Sequence, residues 1–244
     1  MANIKLTIEY DGTNYVGWQR QKNGIGIQEQ IENAIYKVTG EKVHLIGSGR
    51  TDKGVHARGQ VANFITKSSI PPERFRLALN NNLPYDIVIL DSEGVPNEFH
   101  SRFDAIGKRY RYSIYNSKKR RALNRNFVYQ VSYSLNYEEM ERAINFFIGT
   151  HDFRSFMVAN SNTDVTIKTI NKAYLDKKGN TIHFIIEGDG FLHNMVRIMA
   201  GTLVDVGRGR LRSADIPQII SLRERKFAGH TAPPQGLYLE KVYY

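Results

Sequence analysis

Apolar positions recur along the chain with two periods, one near two residues and one near 3.6, and together they predict an order of elements. Ile4-Lys5-Leu6-Thr7-Ile8-Glu9 alternates apolar and polar, the pattern of a half-buried strand. A loop over residues 10–21 follows, carrying Asp11, Tyr15, Gly17 and the only tryptophan, Trp18. Ile27, Ile31, Ala34, Ile35 and Val38 then recur at helical spacing, and Gly40 is placed to close that helix. Two strand-like segments, residues 43–47 and 60–65, flank the stretch GRTDKGVHARGQ at 49–60. Pro71-Pro72 opens a helix through Phe75, Leu77, Ala78 and Leu79 that Pro84 ends, and residues 86–90 read as a short buried strand. The first part of the chain therefore reads βαββαβ.

The second part repeats that order without repeating the sequence. Residues 107–115 alternate as a strand, with Tyr110, Tyr112 and Ile114 on one face and Arg109 and Arg111 on the other. Residues 137–148 are helical, with Met140, Ala143, Ile144 and Phe147 on the apolar side. Strands at 166–175 and 181–187 are joined by the turn signal Lys177-Lys178-Gly179-Asn180. A helix over 191–206, a short helix near 214–222 and a last strand at 236–242 complete the pattern. The expected fold class is α+β: two βαββαβ halves of the ferredoxin or RRM-like kind. Their antiparallel sheets lie side by side in this expectation, with helices on one face and an active-site cleft between the halves. The expected domains are 1–105, carrying the 49–60 loop, and 106–244.

Charge changes this picture from architecture to partner. The chain of 244 residues has a formal net charge of +10. Residues 1–107 balance 12 basic against 12 acidic side chains, whereas residues 108–244 carry 22 against 12, so the whole excess lies in the second part. Residues 105–137 contain no acid, while Lys108, Arg109, Arg111, Lys118, Lys119, Arg120, Arg121 and Arg125 are all basic. Such a field draws in a polyanion. Tyr110, Tyr112 and Tyr115 are interleaved with these cations, and bases stack on such rings. Nucleic acid is the expected partner rather than a membrane, since no amphipathic apolar helix accompanies the charges. The absence of cysteine removes disulfides and thiolate metal sites. With no leader pattern at Met1 and no apolar run of membrane-spanning length, the expected location is the cytoplasm.

Several familiar signatures fail. Gly47-Ser48-Gly49 begins like a dinucleotide fingerprint but has Asp52 where a glycine is required, and no P-loop run exists. Asp11-Gly12-Thr13 has Glu9 where an aspartyl phosphatase has its nucleophile. The seven histidines make no helical i, i+4 pair, so no metal site is expected. His151-Asp152 reads as a turn or helix cap. Two features remain. Asp52 sits in a glycine-bearing loop among Arg50, Lys53, His56 and Arg58, opposite charges that favour its ionised form. On the 191–206 helix, Leu192, Met195, Val196, Met199 and Leu203 form a core stripe, and His193, Arg197 and Gly201 form a second one from which Arg197 can reach a carboxylate.

Five blocks, taken in order, are similar to the tRNA pseudouridine synthase A family. They are Tyr10-Asp11-Gly12-Thr13 with Gly17-Trp18-Gln19; GRTDKGVHA from Gly49; Lys108-Arg109-Tyr110-Arg111-Tyr112; Gly149-Thr150-His151-Asp152-Phe153 with Ser155-Phe156; and Gly190-Phe191-Leu192-His193-Asn194-Met195-Val196-Arg197. The resemblance implies isomerisation of uridine to pseudouridine at nucleotides 38 to 40 of the tRNA anticodon stem-loop, without cofactor or metal, by a homodimer. It implies Asp52 as the catalytic aspartate, Arg197 as its partner and Tyr110 against the target base. It sets Arg50 and Arg58 at the RNA, with His56 beside them. The basic set Lys108, Arg109, Arg111, Lys118, Lys119, Arg120 and Arg121 extends the RNA surface. A non-catalytic RNA-binding protein of the same fold is the alternative, and the intact set of Asp52, Tyr110 and Arg197 favours the enzyme.

Overall fold

Local sequence and burial together explain each element of the computed structural model, which describes residues 1–159, 163 and 165–244. The fold is α+β and divides into two units, Met1–Ile106 with Tyr238–Tyr244, and Gly107–Leu237.

The first unit begins with β1 (Ala2–Tyr10), whose alternation places Ile4, Leu6, Ile8 and Tyr10 in the interior. The helix α1 (Ile27–Thr39) buries Ile27, Ile31, Ala34 and Ile35, and Gly40 ends it at φ 73°, a left-handed position that costs glycine little. Of the strand anticipated at 43–47 only β2 (Ile46–Gly47) forms, while β3 (His56–Thr66) is long and buried along most of its length. A 3-10 turn at Pro72–Arg74 leads into the single-turn helix α2 (Phe75–Asn80). Phe75 meets Phe64 of β3 edge to face, with ring centroids 5.5 Å apart. The strand β4 (Ile87–Val95) pairs antiparallel with β1, and β1 pairs antiparallel with β3.

In the second unit β5 (Gly107–Asn116) has Tyr110, Tyr112 and Ile114 buried and Arg109 and Arg111 partly exposed, as the alternation requires. Two short strands escape the periodicity reading: β6 (Tyr129–Val131), parallel to β5, and β7 (Gly149–Asp152). Three or four residues are too few to establish a period. Between them α3 (Tyr137–Asn145) starts at Asn136, whose side chain accepts the Glu139 N–H. β8 (Ile167–Lys178) and β9 (Thr181–Gly188) make the hairpin expected from Lys177-Lys178-Gly179-Asn180. The antiparallel order in this unit is β5-β9-β8-β7. Tyr112 faces Phe184 and Ile114 faces Ile182 across the β5–β9 ladder. His151 and Asp152 close β7, and Asp152 caps the following 3-10 turn by accepting from Arg154 N and pairs with Arg223 at 3.2 Å.

The helix α4 (Met195–Gly207) differs from the striped helix anticipated. Every residue in it except Arg197 is buried, so it is a central helix packed all round rather than a surface one. It starts at Met195 because Asn194 takes a left-handed conformation (φ 63°) that interrupts the helix anticipated from 191. The helix α5 (Ile216–Leu222) follows, with Pro217 in its first turn.

The last strand, β10 (Leu237–Tyr243), was expected to complete the second half. It pairs in parallel with β3 of the first unit, Tyr238 opposite His56 and Leu239 opposite Ala57, a pairing that the sequence reading did not include. Its alternation marks it as a strand, but partner choice across so long a separation carries no local signal. β10 and β2 share one edge of β3: β10 pairs at 56–57 and β2 at 62–63.

Candidate functional site

Asp52 lies in the loop between β2 and β3, and this loop is fastened through its backbone. Trp18 N–H donates to Thr51 O (3.0 Å), Val55 N–H donates to Asp52 O (3.1 Å), and Gly17 makes a bridge with Asp52. Gly17 has φ +117°, and a Cβ there would lie 2.5 Å from Thr51 O, so only glycine fits this crossing of two chains. The ring of Trp18, 3% exposed, fills the space above Gly47, where a Cβ would meet it at 2.6 Å. The Tyr10 and Thr51 hydroxyls are 2.7 Å apart in the interior. On the far side Gln60 clamps the loop's start, its Nε2 donating to Gly49 O (2.9 Å) and its Oε1 bonded to the Ser48 hydroxyl (2.6 Å). The carboxylate-bearing residue thus sits on a rigid frame while remaining partly exposed.

The residues grouped with Asp52 in the sequence divide into two kinds. Arg50, Lys53 and Arg58 are exposed. Arg58 lies over the Tyr238 ring (5.7 Å) with Glu240 at 3.9 Å, both on β10. His56 is 1% exposed and stacks on Tyr238 at 4.9 Å between centroids. Its Nδ1 is 3.1 Å from both the Gly12 N–H and Asp11 Oδ1. Nδ1 accepts from Gly12 when it carries no hydrogen and donates to Asp11 when it does, so this histidine ties the 10–14 segment to the strand that follows Asp52. Asp11, part of a failed phosphatase signature and of the first family block, is a cap: it accepts from Thr13 N–H (2.9 Å).

Tyr15 closes the other end of this segment on Asp86 by a short hydrogen bond, and burial, followed by that carboxylate, pushes its phenol well up from the ordinary range. A Cβ at Gly12 would stand 2.0 Å from Val55 O, three residues after Asp52. Gly12→Ala is therefore expected to destabilise the chain by about 1–3 kcal/mol. Denaturant unfolding checks this, and a variant as stable as the parent would show that the 10–14 and 52–56 segments separate without cost.

In the second unit Tyr110, 9% exposed, meets Phe191 edge to face at 5.0 Å. On the opposite face of β5, Arg109 pairs with Glu187 through Nε (2.9 Å) and Nη2 (2.7 Å); Lys108 and Arg111 are partly exposed beside it. Lys118, Lys119 and Arg120 are exposed on the segment after β5, and Arg121 lies over Tyr115 at 4.6 Å. Gln130 of β6 fixes that segment: its Nε2 donates to Ser117 O (3.3 Å) and Lys119 O (3.0 Å), and its Oε1 accepts from Arg121 N–H (3.1 Å). Hydrogen bonds from Asn180 and Ser117, with the nearby cations Arg121 and Lys119, draw the Tyr115 phenol down.

Arg197 is held from two sides. Its Nε donates to Ala232 O (2.9 Å) and its Nη1 to Asn194 Oδ1 (2.7 Å). Gly201, on the same stripe as Arg197, lies against the chain at His230, whose carbonyl oxygen would be 1.8 Å from a Cβ there. Sequence reading missed the supporting residues Asn194, Thr202, Asp205 and His230. A buried acid, Asp205, on an otherwise apolar helix was the available signal. Among the described residues no group of three His, Cys, Asp or Glu is placed to hold a metal ion, and no helix is long and apolar enough to cross a membrane.

A family model described as tRNA pseudouridine synthase matches residues 6–104 and 143–244, which include Asp52 and Arg197. Curated relatives named tRNA pseudouridine synthase A align over all 244 residues and over their own full lengths. They come from Acetivibrio thermocellus (56% identical), Caldicellulosiruptor bescii (53%) and Clostridium acetobutylicum (49%). The family model spans most of the chain and these relatives match it end to end, so the chain belongs to the tRNA pseudouridine synthase family.

Proposed function

We propose that this isomerase converts uridine to pseudouridine at nucleotides 38 to 40 of the tRNA anticodon stem-loop, with Asp52 as its reactive carboxylate. Membership of the family carries the activity. The rigid, backbone-fastened loop that presents Asp52 is the observation that supports its role. The reaction breaks the C1′–N1 glycosidic bond, turns the uracil and joins C1′ to C5; the C5 proton is lost and N1 gains one. An ionised carboxylate serves as nucleophile or base in this sequence. Tyr110 is assigned to the target base, which must leave the stack for its C5 to reach the sugar. Arg197 is assigned as the partner that orients Asp52. Arg50, Arg58 and His56 are assigned to the substrate; Lys108, Arg109, Arg111 and the 118–121 segment are assigned to the wider RNA path. The protein acts as a homodimer in the cytoplasm on this reading.

The test is release of tritium from tRNA labelled at uridine C5, with the product mapped by position. Release without pseudouridine at 38 to 40 would move the substrate site elsewhere in tRNA. Arg197→Ala is expected to lower turnover by about 10²-fold or more while changing tRNA affinity little, because an ion pair that orients a reacting group acts on the rate. Equal losses in both would make Arg197 an RNA contact instead.

A further inference from the structure

The carbonyl that holds Arg197 belongs to a segment with no helix or strand of its own. Residues 228–233 run beside α4, and their position depends on side chains and close packing. Gly229 N–H donates to Thr202 Oγ1 (2.9 Å), and Ala232 N–H donates to Arg197 O (3.1 Å). Gly201 and Gly229 allow the contact: a Cβ at 201 would be 1.8 Å from His230 O, and one at 229 would be 2.6 Å from Thr202 Cα. The remaining anchor is Asp205, two turns after Arg197 on the same helix and 6% exposed. Its Oδ2 accepts from both the backbone N–H (3.2 Å) and Nδ1 (3.0 Å) of His230. The other ring nitrogen, Nε2, is 3.2 Å from the Tyr129 hydroxyl, so the imidazole is fixed at both ends.

Burial alone works to raise the Asp205 carboxyl. The hydrogen bonds from His230, with the charges of His230 and Arg210, outweigh it and hold the group below the usual range. A buried acid costs stability unless such donors meet it, and here they all come from the segment that carries Ala232.

We propose that Asp205 is a positioning residue for the isomerisation: acting through His230, it fixes the Ala232 carbonyl and so the guanidinium of Arg197. This rests on the reading of Arg197 as the partner of the reactive carboxylate. The bonds are arranged in series, Asp205 to His230, along the chain to Ala232, and from its carbonyl to Arg197 Nε. Losing the Asp205 anchor leaves the segment tied to α4 by fewer bonds, Gly229 to Thr202 and Ala232 to Arg197 O, and a displacement near 1 Å at a reacting group costs a rate of about 10²-fold.

The experiment uses the full chain and C5-tritiated tRNA under single-turnover conditions, with tRNA affinity and thermal midpoint measured in parallel. Asp205→Ala is expected to slow the step by about 10²-fold, with tRNA affinity held within about threefold. Asp205→Asn should recover most of the rate, because its amide oxygen still accepts from His230. His230→Ala, at a partly exposed position, breaks the series at its other end and serves if Asp205→Ala does not fold; it should slow the step likewise. In an Arg197→Ala background, adding His230→Ala or Asp205→Ala should slow the step no further. A wild-type rate in folded His230→Ala and Asp205→Ala, or a full additional loss in the Arg197→Ala background, overturns the proposal. An Arg197→Ala protein as fast as the parent overturns the reading of Arg197 itself, and the proposal with it.

Discussion

Asp52→Ala should leave a folded protein that binds tRNA and releases no measurable tritium from C5-labelled uridine, a loss of at least about 10⁴-fold in rate. The size of the effect follows from the assigned role: if the carboxylate is the group that initiates glycosidic cleavage, no neighbouring residue replaces it. Its clarity follows from the way the loop is held. None of the bonds described for residues 51–55 uses the Asp52 carboxylate: Trp18 N to Thr51 O and Val55 N to Asp52 O join backbone atoms, the Tyr10 hydroxyl meets that of Thr51, and the glycine crossing at Gly17 involves only main chain. Truncating the side chain removes none of them. The variant should therefore keep the main-chain frame of the loop, and its thermal midpoint, measured beside the activity, separates lost chemistry from lost folding. Activity within about tenfold of the parent would remove Asp52 from the reaction, since general acid–base roles alone are worth more. The same comparison separates the enzyme from an RNA-binding protein of the same fold, for which Asp52→Ala changes nothing.

Reversing the charges of Lys118, Lys119, Arg120 and Arg121 together should weaken tRNA binding by about 100-fold or more at low salt and flatten the dependence of log K on log salt by about 3 to 4. Three of these side chains are exposed, and among the described residues none of the four stands in an ion pair. Their charge is accordingly available to phosphates. Gln130 holds the backbone that carries them at three points, and Arg121 rests on Tyr115, so little ordering is left to be done on binding. Filter binding across a salt series checks both quantities. An unchanged slope would place the RNA path away from this segment.

Much of the fold was legible because its signals are local. The alternation of β1, the apolar stripe of α1 with Gly40 at its end, and the β8–β9 hairpin turn all follow from residues a few positions apart. What was not legible depends on distant partners. β10 reads as a strand from its own residues, but nothing in them says that it lies parallel to β3. The central placement of α4 was hidden because a helix with a clear apolar stripe and a few polar residues looks like a surface helix until those polar residues find partners. Thr202 and Asp205 find theirs in the 229–230 segment. The site divided in the same way. Asp52 was marked by its composition, whereas His56 was grouped with the exposed cations by adjacency and lies in the interior against Gly12 and Tyr238.

The pairing of β10 with β3 has a consequence for how the chain is made. The first unit is closed by Tyr238–Tyr244, so its sheet stays incomplete until the whole of Gly107–Leu237 has been synthesised. Through that interval β3 carries an open edge at His56–Ala57, a template for unwanted strand pairing. The first unit is therefore expected to stay unfinished until residues 238–244 are made, although the rest of it is synthesised first. Ribosome-stalled chains that lack the last strand should then be cleaved in the first unit by a protease that spares it in the full chain.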